Sequence, residues 1–181
     1  MRGVAVLGAG SWGTALAVHL ARAGHDVRLW ARDPATVRDI RQRRANVVYL
    51  PDVHLPEAIV ATDSMADALA GVDLVVCAIP SHGCRGVMRA AAPHLATGAV
   101  VVSATKGLET DTRLRMSEVI AQETGGRHPV AVLSGPTFAA EVAKQLPTVV
   151  LVASQDGAAT ERVQVEFRSS YRSEEHTSEL Q

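Results

Sequence analysis

The stretch GVAVLGAGSWGTALA, residues 3–17, constrains this chain more than any other. A short apolar, β-branched run meets three glycines, Gly8, Gly10 and Gly13, and alanine and leucine follow at helical spacing. Such a chain must leave a strand, turn tightly and enter a helix that stays close to the strand it came from. A lone G-x-G-x-x-G is weak, because glycine turns are common; its position after a strand and at the opening of a helix gives it weight. Gly8 allows the tight turn, Gly10 lets a ligand approach the backbone, and Gly13 lets helix and strand pack closely. The helix N-terminus then offers free N–H groups and a partial positive charge to an anion.

The remaining chain repeats this alternation. Strands are expected at 3–7, 25–31, 58–61, 73–79, 99–103, 129–133 and 148–153, where β-branched runs are bounded by glycine, proline or polar turns. Helices are expected at 14–23, from Asp33-Pro34 onward with Val37 and Ile40 buried, from Thr62 or Asp63 to about Gly71, at 84–95, around Met116, Val119 and Ile120, at 138–144 and at 158–167. Residues 45–56 show no clear period and are expected to form an ordered loop. The run DLVVCAI (73–79) is almost wholly apolar, as a parallel strand buried on both faces requires. The fold class that follows is α/β, a Rossmann-like doubly wound, mostly parallel sheet occupying residues 1–171.

Charge narrows the classes of partner. Eighteen basic and nineteen acidic residues leave a formal net charge of −1, so no overall field draws the chain to nucleic acid or a membrane. No apolar run reaches the ~18–20 residues of a membrane span. Cys77 and Cys84 lack the spacing of a zinc site or the density of a disulfide scaffold, and no metal site is expected. A cytoplasmic protein with reduced thiols and a small-molecule ligand is the expectation.

In open α/β sheets ligands bind beyond the carboxyl ends of the strands, and the chemistry-bearing residues gather at those ends. Strand two closes on Trp30-Ala31-Arg32-Asp33. An acidic side chain there binds the adenosine ribose of NAD(H), whereas arginine favours a 2′-phosphate; Asp33 already serves as a helix N-cap, so Arg32 favours NADP(H), with NAD(H) tolerated. Pro80-Ser81-His82 ends the 73–79 strand, with Pro80 beside the nicotinamide half of the cofactor; His82 is a weak candidate base and Cys84 a weak candidate thiol. Lys106 is one of only two lysines, Lys144 being the other, and stands where an ammonium can hold a phosphate or carbonyl oxygen. Ser134-Gly135-Pro136-Thr137-Phe138-Ala139 joins a strand to a helix, so its amides and the Thr137 hydroxyl can face an anion. Ser134 has no G-x-S-x-G context, which argues against a hydrolase.

Six blocks in order, GAGSWGTALA (8–17), LWARDP (29–34), NVVYLPDV (46–53), IPSH (79–82), ATKGLE (104–109) and SGPTFAAEV (134–142), resemble the bacterial type of NAD(P)-dependent glycerol-3-phosphate dehydrogenase. The resemblance implies hydride transfer between sn-glycerol 3-phosphate and nicotinamide, with dihydroxyacetone phosphate as the ketone, in the supply of glycerophospholipid precursors. It implies cofactor contacts from Ser11, Trp12, Arg32, Lys106 and Ala139, beside the glycines and Pro80, and substrate contacts from Lys106, Gly135 and Thr137. The blocks at 104–109 and 134–142 separate this family from 3-hydroxyacid and UDP-sugar dehydrogenases, which share the glycine turn. A non-catalytic dinucleotide-binding module is the alternative from another class.

The family pattern also includes an all-helical C-terminal domain, with a lysine as principal acid/base and an arginine-containing segment that grips substrate phosphate. Neither is found in these 181 residues, so the chain is expected to bind cofactor, to hold no complete catalytic set and to turn over negligibly. The resemblance leaves a homodimer of the full-length parent open. A sheet built to meet a second domain exposes apolar surface, and self-association is expected. From Arg172 to Gln181 the text RSEEHTSELQ has no apolar face; it resembles a translated sequencing adapter and is set aside as a non-native tail.

Overall fold

The computed structural model describes residues 3–168. The junction at Ser169–Tyr171 and the expected tail at 172–181 lie outside the described residues.

The opening turn forms as its residues demand. Strand β1 (Gly3–Leu7) leads into helix α1 (Ser11–Arg22), then β2 (Asp26–Trp30) and α2 (Pro34–Arg43). Helix α1 begins at Ser11, earlier than the expected Thr14, so Gly13 sits inside the helix. Its missing side chain explains how: a Cβ there would lie 1.8 Å from the Gly8 carbonyl oxygen. Gly24, at φ +95°, reverses the chain after α1. Asp33 caps α2, its carboxylate accepting from the amides of Ala35 (3.0 Å) and Thr36 (3.3 Å), with Pro34 at the first turn.

Residues 45–56 are not simply a loop. β3 (Ala45–Asn46) and β4 (Leu50–His54) pair as a small antiparallel hairpin, separate from the main sheet. The two-residue β3 carries no readable period, and β4 buries Leu50 and Val53 without strict alternation, which is why the sequence shows none. Next come β5 (Ile59–Thr62), α3 (Met65–Leu69), β6 (Leu74–Cys77), α4 (Ser81–Ala91), β7 (Val100–Ser103) and α5 (Met116–Glu123). Helix α3 is capped by Ser64, whose hydroxyl accepts from the Asp67 amide, rather than by Thr62 or Asp63. Helix α4 starts at Ser81, ahead of the expected Cys84; Gly83 and Gly86 weaken the helical signal in its first turns. The chain ends in β8 (Val130–Ser134), α6 (Ala139–Ala143), β9 (Leu151–Ser154) and α7 (Gly157–Glu166).

Seven strands form one sheet in the order β5-β2-β1-β6-β7-β8-β9, parallel throughout except for β9, which runs antiparallel to β8. The chain moves outward from β1 through β2 to β5, returns across to β6, and moves outward again, so the order reverses between β1 and β6. Alternate residues of β1 face opposite sides. Val4 and Val6 join Leu16, Leu20, Leu29, Ile40 and Val163 in one core; Ala5 and Leu7 join Leu69, Met88, Val119 and Ile120 in the other. Each fully buried Leu, Ile or Met in these layers stabilises the fold by about 1.5–3 kcal/mol relative to exposure. The last strand begins at Leu151 rather than 148, because residues 149–150 cross the 134–137 turn: the Val149 carbonyl oxygen stands 2.4 Å from where a Cβ on Gly135 would be.

Candidate functional site

A cleft of about 640 Å³ opens at the carboxyl edge of the sheet, over the point where the strand order reverses. Its floor is the glycine turn. Gly8, at φ +113°, donates its amide to the Trp30 carbonyl at 3.0 Å, and a Cβ there would meet the Ala78 carbonyl oxygen at 2.7 Å. Gly10 is the opposite case: a Cβ on it would meet no protein atom within 4 Å. The space over Gly10 belongs to the cleft, and a side chain would fill it. As N-cap of α1, Gly10 supplies no side-chain acceptor, so no cap side chain meets the first amides of α1, which lie beside this space. That is the donor arrangement a pyrophosphate needs.

The hairpin braces this floor. Asn46 is buried, and its side-chain amide donates to the Ala9 carbonyl and to the Thr14 hydroxyl, both at 2.8 Å. Its oxygen accepts from the Tyr49 amide at 3.3 Å, and the Ser11 hydroxyl donates to the Tyr49 carbonyl at 2.6 Å. Asn46 thus joins three segments, a role that its place in an unpatterned stretch gave no sign of.

On the β2 side Arg32 is exposed on the cleft wall, next to Trp30, Ala31 and Asp33. Backbone and side-chain hydrogen bonds from Ala35 and Thr36 hold the Asp33 carboxyl below its usual range. Both its oxygens are engaged with the start of α2, which leaves Arg32 as the side chain available to a ligand at this edge.

At the other end the cleft gathers Pro80, His82, Lys106, Thr137, Phe138 and Ala139. The Trp12 indole donates to the Ala104 carbonyl at 3.1 Å, and the Lys106 ammonium stands 5.7 Å from the Trp12 ring centroid, a cation–π distance. Thr137 is 4% exposed, and among the described residues its hydroxyl has no hydrogen-bond partner. An orphaned hydroxyl in a cleft wall costs free energy until a ligand oxygen meets it. The residues present therefore fit a dinucleotide along the floor and a small oxyanion beside Thr137 and Lys106.

Several expected positions lie outside the cleft. Gly13 and Gly135 do not line it, and each is tied by packing: Gly13 against Gly8, Gly135 against Val149. His82 does line the cleft, on its exposed rim. Ser134 is exposed at the end of β8 and does not line the cleft. Cys84 is fully buried with its sulfur 3.7 Å from that of Cys77, and this contact together with burial pushes its thiol far above the ordinary range. A neutral buried thiol is a poor nucleophile. Tyr49, Trp30 and Thr36 line the cleft without having been singled out. Tyr49 lies in a stretch without a period, and no motif in the sequence marks Trp30 or Thr36 as ligand-facing. Among the described residues no group of three or more His, Cys, Asp or Glu is placed to hold a metal ion, and no helix is long and apolar enough to cross a membrane.

The likeness to known proteins agrees with this geometry. Glycerol-3-phosphate dehydrogenase [NAD(P)+] of Chelativorans sp. (strain BNC1) is 51% identical over 155 residues, covering 86% of this chain and 47% of the relative. The enzyme of the same name from Koribacter versatilis (strain Ellin345) is 46% identical over 170 residues, covering 92% and 50%. The crystal structure of glycerol-3-phosphate dehydrogenase from Coxiella burnetii superposes with a TM-score of 0.88 at 37% identity, covering 93% of this chain and 51% of that one. The chain spans about half the length of the curated relatives it matches. A sequence model described as NAD-dependent glycerol-3-phosphate dehydrogenase N-terminus matches residues 3–160, and the chain belongs to that family.

Proposed function

We propose that this chain is the dinucleotide-binding half of an NAD(P)-dependent sn-glycerol-3-phosphate dehydrogenase. The observation that carries the reading is one cleft that has the start of α1 at one end and Lys106 with the orphaned Thr137 hydroxyl at the other. When bound, the nicotinamide exchanges a hydride with the carbinol carbon of the substrate. The protein's part is placement. The α1 amides and the open space over Gly10 receive the pyrophosphate. Arg32 faces the adenosine ribose, and with Asp33 engaged at α2 this favours NADP(H) over NAD(H). Pro80 and Ala139 flank the nicotinamide end, and Trp12 holds Lys106 over the cleft. The Lys106 ammonium polarises the substrate oxygen, the Thr137 hydroxyl donates to an oxygen of the same substrate, and Gly135 keeps the turn that carries Thr137 close to β9.

Efficient turnover needs an acid/base at the reacting oxygen, worth about 10²- to 10⁴-fold. We assign none among these 181 residues. The domain takes in residues 1–171, with 172–181 a non-native tail, and the protein is cytoplasmic; two buried free thiols suit a reducing compartment.

Calorimetric titration of dihydroxyacetone phosphate into the NADPH-saturated chain tests the reading. Binding that Thr137→Val weakens by about tenfold, the value of a buried hydrogen bond to a charged group, is the expected result. An equal response to a 3-hydroxyacid, or no effect of Thr137→Val, would overturn the substrate assignment. In a coupled assay with the same two compounds the chain is expected to show turnover near background; near-normal kcat would contradict the incomplete site.

A further inference from the structure

Lys106 stands on an excursion that leaves the sheet after β7 and returns at α5. Its root is fixed, since the Ala104 amide and the Thr105 hydroxyl both donate to the Cys77 carbonyl, at 2.8 and 3.2 Å. Beyond Lys106 the chain turns at Gly107 (φ +92°) and doubles back through a bridge between Leu108 and Arg115. The excursion is mostly exposed, so its own bridge would not hold it against the body of the protein.

Glu109 does that. Its carboxylate receives a fork from Arg85 on α4, Nε to Oε1 at 2.7 Å and Nη2 to Oε2 at 2.8 Å, and a further donor from the Thr112 hydroxyl. Arg85 also reaches Glu123 on α5 at 2.6 Å, but Glu123 has a second arginine, Arg89, at 2.9 Å. The α4–α5 pairing is thus doubly supplied. Among the described residues Glu109 pairs with one cation, Arg85. Arg85 sits one turn along the helix whose start, Pro80 and His82, forms the cleft wall. Neither Arg85 nor Glu109 lines the cleft.

We infer that Arg85 is a positioning residue: through its two-point grip on Glu109 it fixes the excursion that sets Lys106 over Trp12, and so couples the wall at α4 to the lysine that meets the ligand. The grip explains why Glu109 keeps its proton off down to a pKa of about 2, with the Arg85 hydrogen bonds the main cause. A lysine at 85 would keep the charge but lose the planar fork, which only guanidinium presents.

This inference rests on the proposed role of Lys106, and the test separates the two. The 181-residue chain is titrated with NADPH, following the fluorescence of Trp12 and Trp30, both in the cleft wall, with folding checked by circular dichroism. Glu109→Gln is the deciding variant. It removes a negative charge, so a simple field effect would tighten the anionic dinucleotide, whereas loss of positioning weakens it, by about fivefold if part of a charge-assisted contact is lost. Arg85→Lys is expected to weaken binding as much as Arg85→Met. In a Lys106→Met background neither Glu109→Gln nor Arg85→Met has further effect. Tighter binding in Glu109→Gln, wild-type affinity in Arg85→Lys, or equal losses with and without Lys106 would overturn the inference. Unchanged affinity in Lys106→Met alone would instead overturn the role of Lys106. Should Arg85→Met fail to fold, Glu109→Gln reads the same clasp from its other end.

Discussion

The two ends of the cleft are built differently. At the glycine turn the groups that hold the loop in shape are matched, Gly8 to Trp30, Asn46 to Ala9 and Thr14, Ser11 to Tyr49, and the first amides of α1 are left to the cleft. Around β8 and β9 the opposite holds. The Thr137 hydroxyl is unmatched among the described residues, and Phe138, Val149 and Leu151 are 60–72% exposed. The first end is held in shape by its own residues. The second presents a polar group and an apolar face that call for something further to meet them.

The contrast can be broken most forcefully at Gly13. Gly13→Ala drives a Cβ into the Gly8 carbonyl and is expected to cost more than about 4 kcal/mol, the exceptional end of single substitutions, measured by urea unfolding. A paired truncation sharpens the comparison: Leu29→Ala, in the buried β2, costs about 3 kcal/mol, while Leu151→Ala, on exposed β9, stays within about 0.5 kcal/mol. Equal costs at both would mean that a second copy covers the β9 face in solution; sedimentation at tens of micromolar reads this directly. Asn46→Ala strands the Ala9 carbonyl and the Thr14 hydroxyl and is expected to cost about 2 kcal/mol, with weaker dinucleotide binding. The smallest effect is a slope with pH. Since Glu109 ionises at about 2 when folded, below the usual glutamate value of about 4.3, its contribution is complete above that value and fades as pH falls from about 4.3 toward 2. Glu109→Gln should flatten thermal stability across that window; an unchanged slope would show that Glu118 and Glu123, also held low by arginines, account for it.

The sheet was legible in the sequence because its strands are local events: β-branched runs such as DLVVC, stopped by glycine or proline, announce themselves within a few residues. The same holds for the Asp33 cap and the glycine turn. What escaped was non-local. Asn46 acts on residues 32 and 37 positions away, and Arg85 on one 24 positions away, and no periodicity encodes such meetings. Thr137 and Lys106 could be placed at strand ends, but that they share a cleft with α1 follows only from the sheet order. The family resemblance ran ahead of both, since it carries the fold's long-range meetings with it.

Gly10 gives the most direct test of the central claim, that the α1 amides receive a dinucleotide pyrophosphate. Its Cβ would touch no protein atom within 4 Å, so Gly10→Ala leaves the packed turn intact while occupying the ligand's space. Isothermal titration with NADPH, beside urea unfolding of the same variant, is predicted to show affinity lowered by at least about tenfold with stability lowered by no more than about 1.5 kcal/mol, the range of an alanine N-cap. Unchanged affinity in a folded Gly10→Ala protein would contradict the account.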